Sequence, residues 1–325
     1  MEDPLLSVKN LSVNFYSYRG VVHALNGAYL DAYKGETVGL VGETGCGKST
    51  LALSVVRLIP VPGKIVSGEI SFDGEDLLRK DSREMVNIRR KKISYIFQDP
   101  TAALDPVFRV GDQVAEAIMF SQEDKKEKEA KEEAVEMLAL VNIPDPEKVA
   151  RQFPHELSGG MRQRAMIAIA LSKKPKLMMA DEPTSNLDVT IQAQILDLMM
   201  ELRNRTGMSV IIITHDMGIV AQTCDRVAIM YAGRIVEFGP ILDVFEDPLH
   251  PYSRGLLKTA DFGEEKTSKL STIPGSVPDL VVLPSGCIFR PRCSQKQELC
   301  MRNPPGIVEA SHNHFAACHL VSKME

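Results

Sequence analysis

The sequence predicts an α/β protein in which a mainly parallel sheet is covered by helices on both faces. Three observations support this fold class. Short apolar runs of strand length alternate with longer stretches whose apolar residues recur at helical spacing. A glycine-rich loop joins one strand to the helix that follows it. Some apolar strands end directly in an acidic residue or a histidine. Strands that are separated by helices pair in parallel, which gives the predicted fold.

The predicted elements follow in order along the chain. Strands are expected over residues 6–13, 28–32, 37–41, 65–72, 92–97, 176–180 and 208–214. Helices are expected over residues 50–59, 161–171 and 189–204. Residues 101 to about 157 have a helical texture and indicate an insertion, whose mixed charges at 123–133 are typical of a solvated helix face. Beyond about Pro248, frequent Pro, Gly and Ser predict a separate tail of little regular structure.

Composition excludes several classes of protein. The chain has 325 residues, of which 44% are hydrophobic and 25% charged, so it can bury a real core and is neither disordered nor fibrous. The net charge of −5 is opposite to that of most proteins that coat a phosphate backbone, so no nucleic-acid partner is expected. The densest apolar run, residues 210–213, has the length of a strand, so no membrane span is expected.

The first residues, Met1 to Pro4, show neither a basic start nor an apolar stretch, so we expect no export signal and a cytosolic location. In that reducing compartment, the six cysteines are not expected to form disulfides.

The glycine-rich loop has the pattern of a phosphate-binding loop. It consists of Gly42, Glu43, Thr44, Gly45, Cys46, Gly47, Lys48 and Ser49, and Thr50 follows in the helix. Such glycines let backbone N–H groups surround an anion, and the helix start adds a partial positive charge. Lys48 can neutralise the outer phosphates and the Ser49 hydroxyl can bind Mg²⁺. A simple glycine turn is the alternative, but the flanking strand and helix favour the phosphate loop, with Cys46 as a spacer.

A phosphate loop with a bound metal needs acidic partners, and the ends of other strands supply candidates. Asp181 ends an apolar strand and can hold Mg²⁺, while Glu182 beside it can polarise an attacking water. His215 follows another apolar strand and can contact the γ-phosphate. Gln98 follows a third strand and is a weaker candidate for a neutral Mg²⁺ or water ligand. Together these residues predict a nucleoside triphosphatase.

A second anion site is predicted at Ser158, Gly159 and Gly160. These residues open a helix, where a hydroxyl and free N–H groups can meet a phosphate. With this motif the chain resembles the ATP-binding subunits of ATP-binding-cassette (ABC) transporters, because phosphate loop, glutamine, Leu-Ser-Gly-Gly, Asp-Glu and histidine occur in the family's order over residues 5 to about 245.

The resemblance implies a fold and a set of roles. The fold is a P-loop nucleoside-triphosphatase core with an antiparallel β subdomain and an inserted α-helical subdomain at about 101–164, in a domain of residues 1–247. Asp181 becomes the metal-linked acid, Glu182 the general base and His215 the γ-phosphate switch. Gln98 becomes the residue that senses the membrane partner and, with Ser49, a Mg²⁺ ligand.

The resemblance also implies a head-to-tail dimer, in which the signature of one subunit closes over ATP held by the other. The dimer-contact loop corresponds to Ser185–Asp188, where Asn186 replaces a residue that is usually small. An aromatic side chain near the start of the chain stacks on adenine in the family. Tyr18 fits that place best and Tyr16 second, with an ordinary surface or core tyrosine as the alternative.

The implied function is the ATP-hydrolysing motor of a membrane importer. Its partners are two transmembrane permease subunits, a second ATP-binding subunit that is identical or related, and, indirectly, an extracellular substrate-binding protein. The implied place is the cytoplasmic face of the membrane, with peripheral attachment. A cassette ATPase that acts on DNA or ribosomes is the alternative, but the chain lacks the long coiled-coil insertion or second cassette usual in that class.

Four further cysteines, Cys287, Cys293, Cys300 and Cys318, crowd the last 39 positions, in a tail at 248–325. Four thiolates can hold Zn²⁺ or an iron–sulfur cluster, and the ligands alone do not choose between them. Free thiols are a further alternative, and three nearby histidines are alternative ligands: His312, His314 and His319.

The tail resembles the carboxyl extension of the dipeptide and oligopeptide branch of the family. It shares with that branch four short sequence motifs, at residues 250–253, 273–278, 286–293 and 317–319. This resemblance implies a [4Fe–4S] cluster on the four cysteines. Because a weakly apolar tail gains folding energy from a bound metal, we expect a structural role rather than redox chemistry, with a regulatory metal sensor as the alternative. The resemblance also implies dipeptides or oligopeptides as cargo, with nickel and oligosaccharides as alternatives.

Overall fold

A computed structural model of the protein describes residues 3–185, 187–259 and 273–322. The chain divides into two compact units, one of Met1–Arg79 with Ile213–Glu325 and one of Lys80–Ile212.

The strands are β1 (Leu6–Ser17), β2 (Gly20–Ala32), β3 (Thr37–Val41), β4 (Gly63–Phe72), β5 (Glu75–Asp76), β6 (Ile93–Ile96), β7 (Leu177–Asp181), β8 (Ser209–Thr214), β9 (Arg226–Tyr231), β10 (Arg234–Pro240), β11 (Val308–Ser311) and β12 (His314–Ala316). The helices are α1 (Lys48–Val55), α2 (Ser82–Lys91), α3 (Pro100–Ala103), α4 (Val110–Ser121), α5 (Glu127–Leu140), α6 (Pro146–Ala150), α7 (Gly159–Leu171), α8 (Val189–Thr206), α9 (Met217–Thr223), α10 (Ile241–Glu246), α11 (Pro251–Thr259) and α12 (Leu299–Arg302).

The first unit contains an antiparallel sheet in the order β2-β1-β4-β5. The expected strands at 6–13, 28–32 and 65–72 are confirmed, but β1 and β2 are longer than expected. Ser17 pairs with Gly20 at their turn, so the two strands continue as a hairpin through residues that are mostly only partly buried. This sheet confirms the antiparallel β subdomain.

The first unit also carries neighbouring strands in the order β11-β12-β10-β9-β3. The pair β3–β9 is parallel, and all five residues of β3 are buried, as an apolar run of this length requires when a strand is covered on both faces. The strands β10 and β12 pair antiparallel with their neighbours. Among these strands the pairing is therefore parallel between β3 and β9 and antiparallel from β9 to β11.

The second unit contains β6 and β7 in parallel pairing, with β8 next to β7. Every residue of β7 and β8 is buried. Between β6 and β7 lie α3 to α7, and their buried apolar residues include Val114, Ile118 and Leu138. These helices confirm the predicted helical insertion. Among the described residues, no helix is both long enough and apolar enough to cross a membrane.

The expectation of a tail with little regular structure is wrong in part. The described tail contains α11 and the hairpin β11–β12, which joins β10 at Glu237 and Ala316. The physical reason is a buried polar cluster. The Glu237 carboxylate is fully buried, lies 2.8 Å from Nε2 of His314 and accepts hydrogen bonds from the backbone N–H groups of Leu249 and His250 at 2.8 Å. These contacts bind the start of the tail, at Leu249 and His250, and its later segment, at His314, to Glu237 of β10.

Candidate functional site

The predicted phosphate loop connects β3 to α1 and closes around its lysine. Gly47 caps α1 with a left-handed backbone at φ 109°, which favours glycine. A Cβ on Gly42 would lie 2.2 Å from the carbonyl oxygen of Met230, so only glycine fits there. The buried Lys48 ammonium donates to the carbonyl oxygens of Gly42 at 2.7 Å and Glu43 at 3.3 Å. The loop is therefore folded with a positive charge inside it.

The other loop residues divide into exposed and buried ones. Thr44, Gly45 and Ser49 are exposed, so the Ser49 hydroxyl is open to a ligand. Cys46 is fully buried, and burial raises the pKa of its thiol. Its carbonyl oxygen accepts a hydrogen bond from the N–H of Gly233 at 2.7 Å. Cys46 is thus a structural spacer, since a buried thiol with a raised pKa is a poor nucleophile.

The predicted acidic pair lies in the second unit, at the end of β7. Asp181 is 7% exposed, and its Oδ2 accepts a hydrogen bond from the Tyr95 hydroxyl at 2.8 Å. Burial and the nearby Asp181 carboxylate raise the pKa of Tyr95 well above its usual range, so Tyr95 remains a neutral donor. Sequence reasoning missed Tyr95. Its only signal is an aromatic residue near the end of β6, the strand that pairs with β7.

Glu182 follows β7 directly and is oriented by Gln98. Nε2 of Gln98 donates to Oε2 of Glu182 at 2.9 Å. The backbone of Glu182 is left-handed at φ 46°, an unfavourable conformation for a residue with a side chain. Its carbonyl oxygen accepts hydrogen bonds from the backbone N–H of Ser185 at 3.1 Å and from the Ser185 hydroxyl at 3.0 Å. The strained turn is therefore stabilised on both its backbone and its side chain.

The signature residues begin α7, also in the second unit. The Ser158 hydroxyl caps the helix by accepting from the N–H of Met161 at 3.3 Å. Ser158 and Gly159 are exposed, and no acidic side chain lies in the first helical turn. A Cβ on Gly160 would lie 2.8 Å from a methyl carbon of Ile191. The helix start thus presents an exposed positive dipole end with little room for larger residues.

The remaining predicted nucleotide contacts are exposed. His215 lies directly after β8, at the carboxyl end of that strand. Tyr18 is 91% exposed in the β1–β2 turn, with the Arg19 guanidinium over its ring, and Tyr16 is 45% exposed on β1, with the Lys64 ammonium over its ring. Asp188 caps α8 by accepting from the N–H of Ile191 at 3.0 Å. Asn186, the departure noted in the dimer-contact loop, lies outside the described residues.

Comparison with known proteins identifies the family. Residues 25–185 match the ABC transporter family, and residues 236–300 match the C-terminal region of oligopeptide/dipeptide transporters. The dipeptide transport ATP-binding protein DppD of Bacillus subtilis is 47% identical over 98% of this chain and 95% of its own length. The chain belongs to the ABC transporter ATP-binding subunits.

Other relatives and solved structures agree. The oligopeptide transport ATP-binding protein OppD of Escherichia coli is 45% identical over 97% of this chain and 93% of its own length. The ATP-binding cassette MJ0796, solved as a dimer bound to ADP and Pi, matches this protein with a TM-score of 0.66 and 27% identity. The match covers 73% of this chain and 98% of the MJ0796 chain. The structure of cbiO1 from Clostridium perfringens, part of an ABC transporter complex, has a TM-score of 0.64 and 31% identity over 76% of this chain and 92% of that one.

The predicted fold and activity class are thereby confirmed. The protein is a P-loop ABC ATPase whose ATP hydrolysis is coupled to transport, and it works with transmembrane permease subunits.

The four tail cysteines of this ABC subunit lie within range of one another's charge. The N–H of Cys287 donates to the carbonyl oxygen of Cys300 at 2.8 Å. Burial raises the pKa of the Cys287, Cys293 and Cys318 thiols, and the neighbouring Cys300 raises each further. The four thiols that the sequence predicted as ligands therefore lie in the same part of the tail.

The expectation of a formed metal site is not met by this geometry. Among the described residues, no group of three or more His, Cys, Asp or Glu side chains could hold a metal ion. The three alternative histidines contact other groups: His312 contacts Asn313, His314 contacts Glu237 and His319 contacts the Asn303 carbonyl.

Proposed function

We propose that the protein powers the import of dipeptides or oligopeptides. The observation that carries this proposal is the union, in one chain, of an ABC cassette with the C-terminal region of oligopeptide/dipeptide transporters. The named relatives that align over nearly the whole chain are dipeptide and oligopeptide transport ATP-binding proteins. The tail thus distinguishes this subunit from a generic cassette and points to peptides rather than nickel or oligosaccharides.

The proposed nucleotide site assigns one role to each group of residues. The backbone of the phosphate loop, Gly42 to Thr50, binds the phosphates, and Lys48 neutralises them. Ser49, Gln98 and Asp181 hold Mg²⁺ directly or through water. Glu182 accepts the proton of the attacking water, and His215 contacts the γ-phosphate. Tyr18 stacks on adenine.

The proposed active species is a dimer of ATP-binding subunits. The exposed helix start at Ser158, Gly159 and Gly160 closes over ATP that is bound by the phosphate loop of the second subunit. Support comes from the presence of a second anion site far from the phosphate loop in the sequence, and from the similar cassette MJ0796, whose solved structure bound to ADP and Pi is dimeric. Binding of ATP closes the dimer and hydrolysis reopens it.

The proposed assembly is that of a membrane importer. Two permease subunits form the path, a second identical or related ATP-binding subunit completes the motor, and an extracellular binding protein delivers the peptide. The subunit is peripheral, on the cytoplasmic face. We assign residues 1–247 to the ATP-binding domain, with the helical subdomain at about 101–164, and residues 248–325 to the extension.

In the same proposal, the four cysteines hold a [4Fe–4S] cluster that stabilises the extension, with Zn²⁺ as the alternative. Four sulfur donors suit either group, and the cluster would supply folding energy to a weakly apolar segment. Protein purified without oxygen should be brown and contain iron. Colourless protein with stoichiometric zinc would replace the cluster by Zn²⁺.

The test of the transport proposal is uptake of isotope-labelled peptides by cells that lack this subunit. Uptake of dipeptides or tripeptides should fall and return with the wild-type chain but not with Lys48→Ala. Free amino acids serve as the control. Unchanged peptide uptake combined with lost nickel or oligosaccharide uptake would contradict the peptide assignment.

A further inference from the structure

The tail contacts the phosphate loop at Glu43. Nη1 of Arg292 donates to both carboxylate oxygens of Glu43 at 3.0 Å. The Arg292 side chain is only 5% exposed and that of Glu43 is 29% exposed, so the arginine is shielded from solvent and the glutamate is partly buried. Both residues belong to the first unit, although 249 positions separate them. Loss of one partner is costly in such a pair, because the other charge is left uncompensated in a partly buried place.

A second tail residue holds the backbone of the same loop position. The N–H of Glu43 donates to the hydroxyl oxygen of Tyr252 at 3.1 Å. Tyr252 is fully buried, and its ring centroid lies 4.7 Å from that of Tyr231 and 5.5 Å from that of Phe289. The hydroxyl therefore has little freedom to move, and it fixes the direction of the Glu43 peptide group.

Arg292 is itself held in place by the tail. Its Nε donates to the carbonyl oxygen of Pro274 at 3.0 Å, and its Nη2 donates to that of Ile273 at 3.1 Å. The guanidinium thus uses three of its nitrogen atoms in a fixed fork, which a lysine could not reproduce. The tail offers the loop a rigid positive group rather than a mobile one.

Glu43 is consequently engaged at all of its polar groups. Its N–H and its carboxylate bind Tyr252 and Arg292 of the tail, while its carbonyl oxygen accepts from Lys48, the lysine of the phosphate loop. A free carboxylate beside bound phosphates would repel them, since like charges in a partly dry site interact strongly. Pairing with Arg292 removes that repulsion and leaves Lys48 as the unopposed positive charge of the loop.

We propose that Arg292 is a positioning residue of the nucleotide site and that, with Tyr252, it lets the extension set the affinity for ATP. The inference rests on the proposed nucleotide site. Arg292 acts through Glu43, by neutralising its carboxylate and by fixing the start of the loop. The expected coupling between extension and loop corresponds to roughly 5- to 150-fold in affinity.

Equilibrium binding of a fluorescent ATP analogue with Mg²⁺ to the full chain tests the proposal. Arg292→Gln should weaken binding at least about tenfold, within the range usual for coupled sites. Adding Glu43→Gln to this variant should restore most of the loss, because the unpaired carboxylate is then absent. In the assembled transporter, Arg292→Gln should raise the KM for ATP more than it lowers kcat. Wild-type affinity in Arg292→Gln, or a double variant no better than the single one, overturns the proposal.

The controls separate this inference from the nucleotide site itself. Arg302→Gln breaks an ion pair with Glu298 in the same tail, but both of those side chains are about 70% exposed, and binding should not change. Lys48→Ala should abolish binding. If wild type binds no ATP, or Lys48→Ala binds it normally, the proposed nucleotide site fails. If only Arg292→Gln behaves as wild type, this inference alone fails.

A measurement on the wild-type chain covers the case in which Arg292→Gln does not fold. Coupling between two sites is reciprocal, so ATP should in turn stabilise the tail. Hydrogen exchange at the amides of residues 287–293 and 251–254 should slow several-fold on adding ATP with Mg²⁺. Exchange rates in both segments that are unaffected by saturating ATP overturn the proposal.

Discussion

Gln98 donates a hydrogen bond from Nε2 to Oε2 of Glu182 at 2.9 Å, which ties the loop after β6 to the carboxylate after β7. The two residues lie 84 positions apart in the chain and belong to the same compact unit. The bond fixes the orientation of the Oε2 carboxylate oxygen of Glu182. A movement of the Gln98 loop therefore changes the orientation of the proposed general base.

Glu182→Gln is expected to abolish turnover while ATP binding is retained. The amide has nearly the shape of the carboxylate but accepts no proton, and loss of a general base costs about 10²- to 10⁴-fold in rate. Phosphate release and binding of a fluorescent ATP analogue measure the two effects. The variant should also accumulate as an ATP-bound dimer in size-exclusion chromatography. Normal phosphate release by this variant would remove Glu182 from the role of base.

Gln98→Ala is expected to lower kcat by roughly 10- to 100-fold, because a poorly oriented catalytic group loses effective concentration. The affinity for ATP without Mg²⁺ should change little, because Gln98 is proposed to contact Glu182 and Mg²⁺ and not the nucleotide. The comparison variant is Gln122→Ala, a glutamine of the same unit at the end of α4. Equal losses in both variants, or a loss confined to ATP affinity, would contradict the orienting role.

Tyr95→Phe removes the hydroxyl that donates to Asp181. A hydrogen bond to a charged group stabilises by about 1.5–3 kcal/mol, so the free energy of unfolding should fall by that order. The ATPase should also need more Mg²⁺ for half-maximal activity, because Asp181 is less well oriented. Denaturant unfolding and a Mg²⁺ titration measure these effects. An unchanged Mg²⁺ requirement would separate Tyr95 from the metal site.

The raised pKa of Tyr95 also predicts that the stability of the fold depends on pH in the alkaline range. Burial and Asp181 raise the pKa of Tyr95 above its usual value near 10, so the folded chain keeps a proton that the unfolded chain loses. The stability that this contributes is present below pH 10 and is lost as the pH rises further. Wild type should therefore lose more stability than Tyr95→Phe when the two are compared at pH 9 and pH 11. Parallel losses would contradict this account.

The lowered pKa of His250 predicts that the stability of the fold also depends on pH in the acid range. Burial lowers the pKa of His250 from 6.5 to about 4, with Arg254 acting in the same direction and Glu237 opposing both. Between these values the unfolded chain takes up a proton that the folded chain refuses, so stability is lost as the pH falls from 6.5 towards 4. The expected loss is about 3 kcal/mol.

His250→Asn is the matched control for this effect. Nδ1 of His250 accepts from the N–H of Tyr252 at 3.0 Å, and an Asn carbonyl oxygen can accept the same bond without titrating. The difference in unfolding free energy between wild type and this variant should narrow as the pH falls. A difference that stays constant from pH 7 to pH 4 would show that His250 is not the source.

Some elements could be predicted closely because their signals are local. Residues 37–41 form β3 as predicted, since an unbroken apolar run ends at a glycine loop. The start of α8 at Val189 also agrees, because Asp188 provides the cap that the sequence shows. Helix α1 was expected at residues 50–59 but covers Lys48–Val55. Gly47 starts it earlier, and Arg57, with a left-handed backbone at φ 52°, lies just beyond its end, well before Pro60.

Much of the site depends on contacts between distant residues, which no local sequence pattern predicts. The residue types of the phosphate loop, the acidic pair and the signature could be predicted from their order and spacing. The bonds of Tyr95 to Asp181 and of Arg292 to Glu43 could not, because tertiary packing alone brings such distant residues together. The hairpin β11–β12 was missed for the same reason, since its short strands depend on pairing with β10.

The central claim is that ATP is bound between the phosphate loop of one subunit and the Ser158 helix start of another. Mixing two inactive variants, Lys48→Ala and Ser158→Arg, tests it most directly, because a mixed dimer contains one site with both halves intact. Each variant alone should be inactive, and the mixture should regain a substantial part of the wild-type ATPase rate per dimer. An inactive mixture, together with a wild-type rate per subunit that does not change on dilution, would contradict the claim.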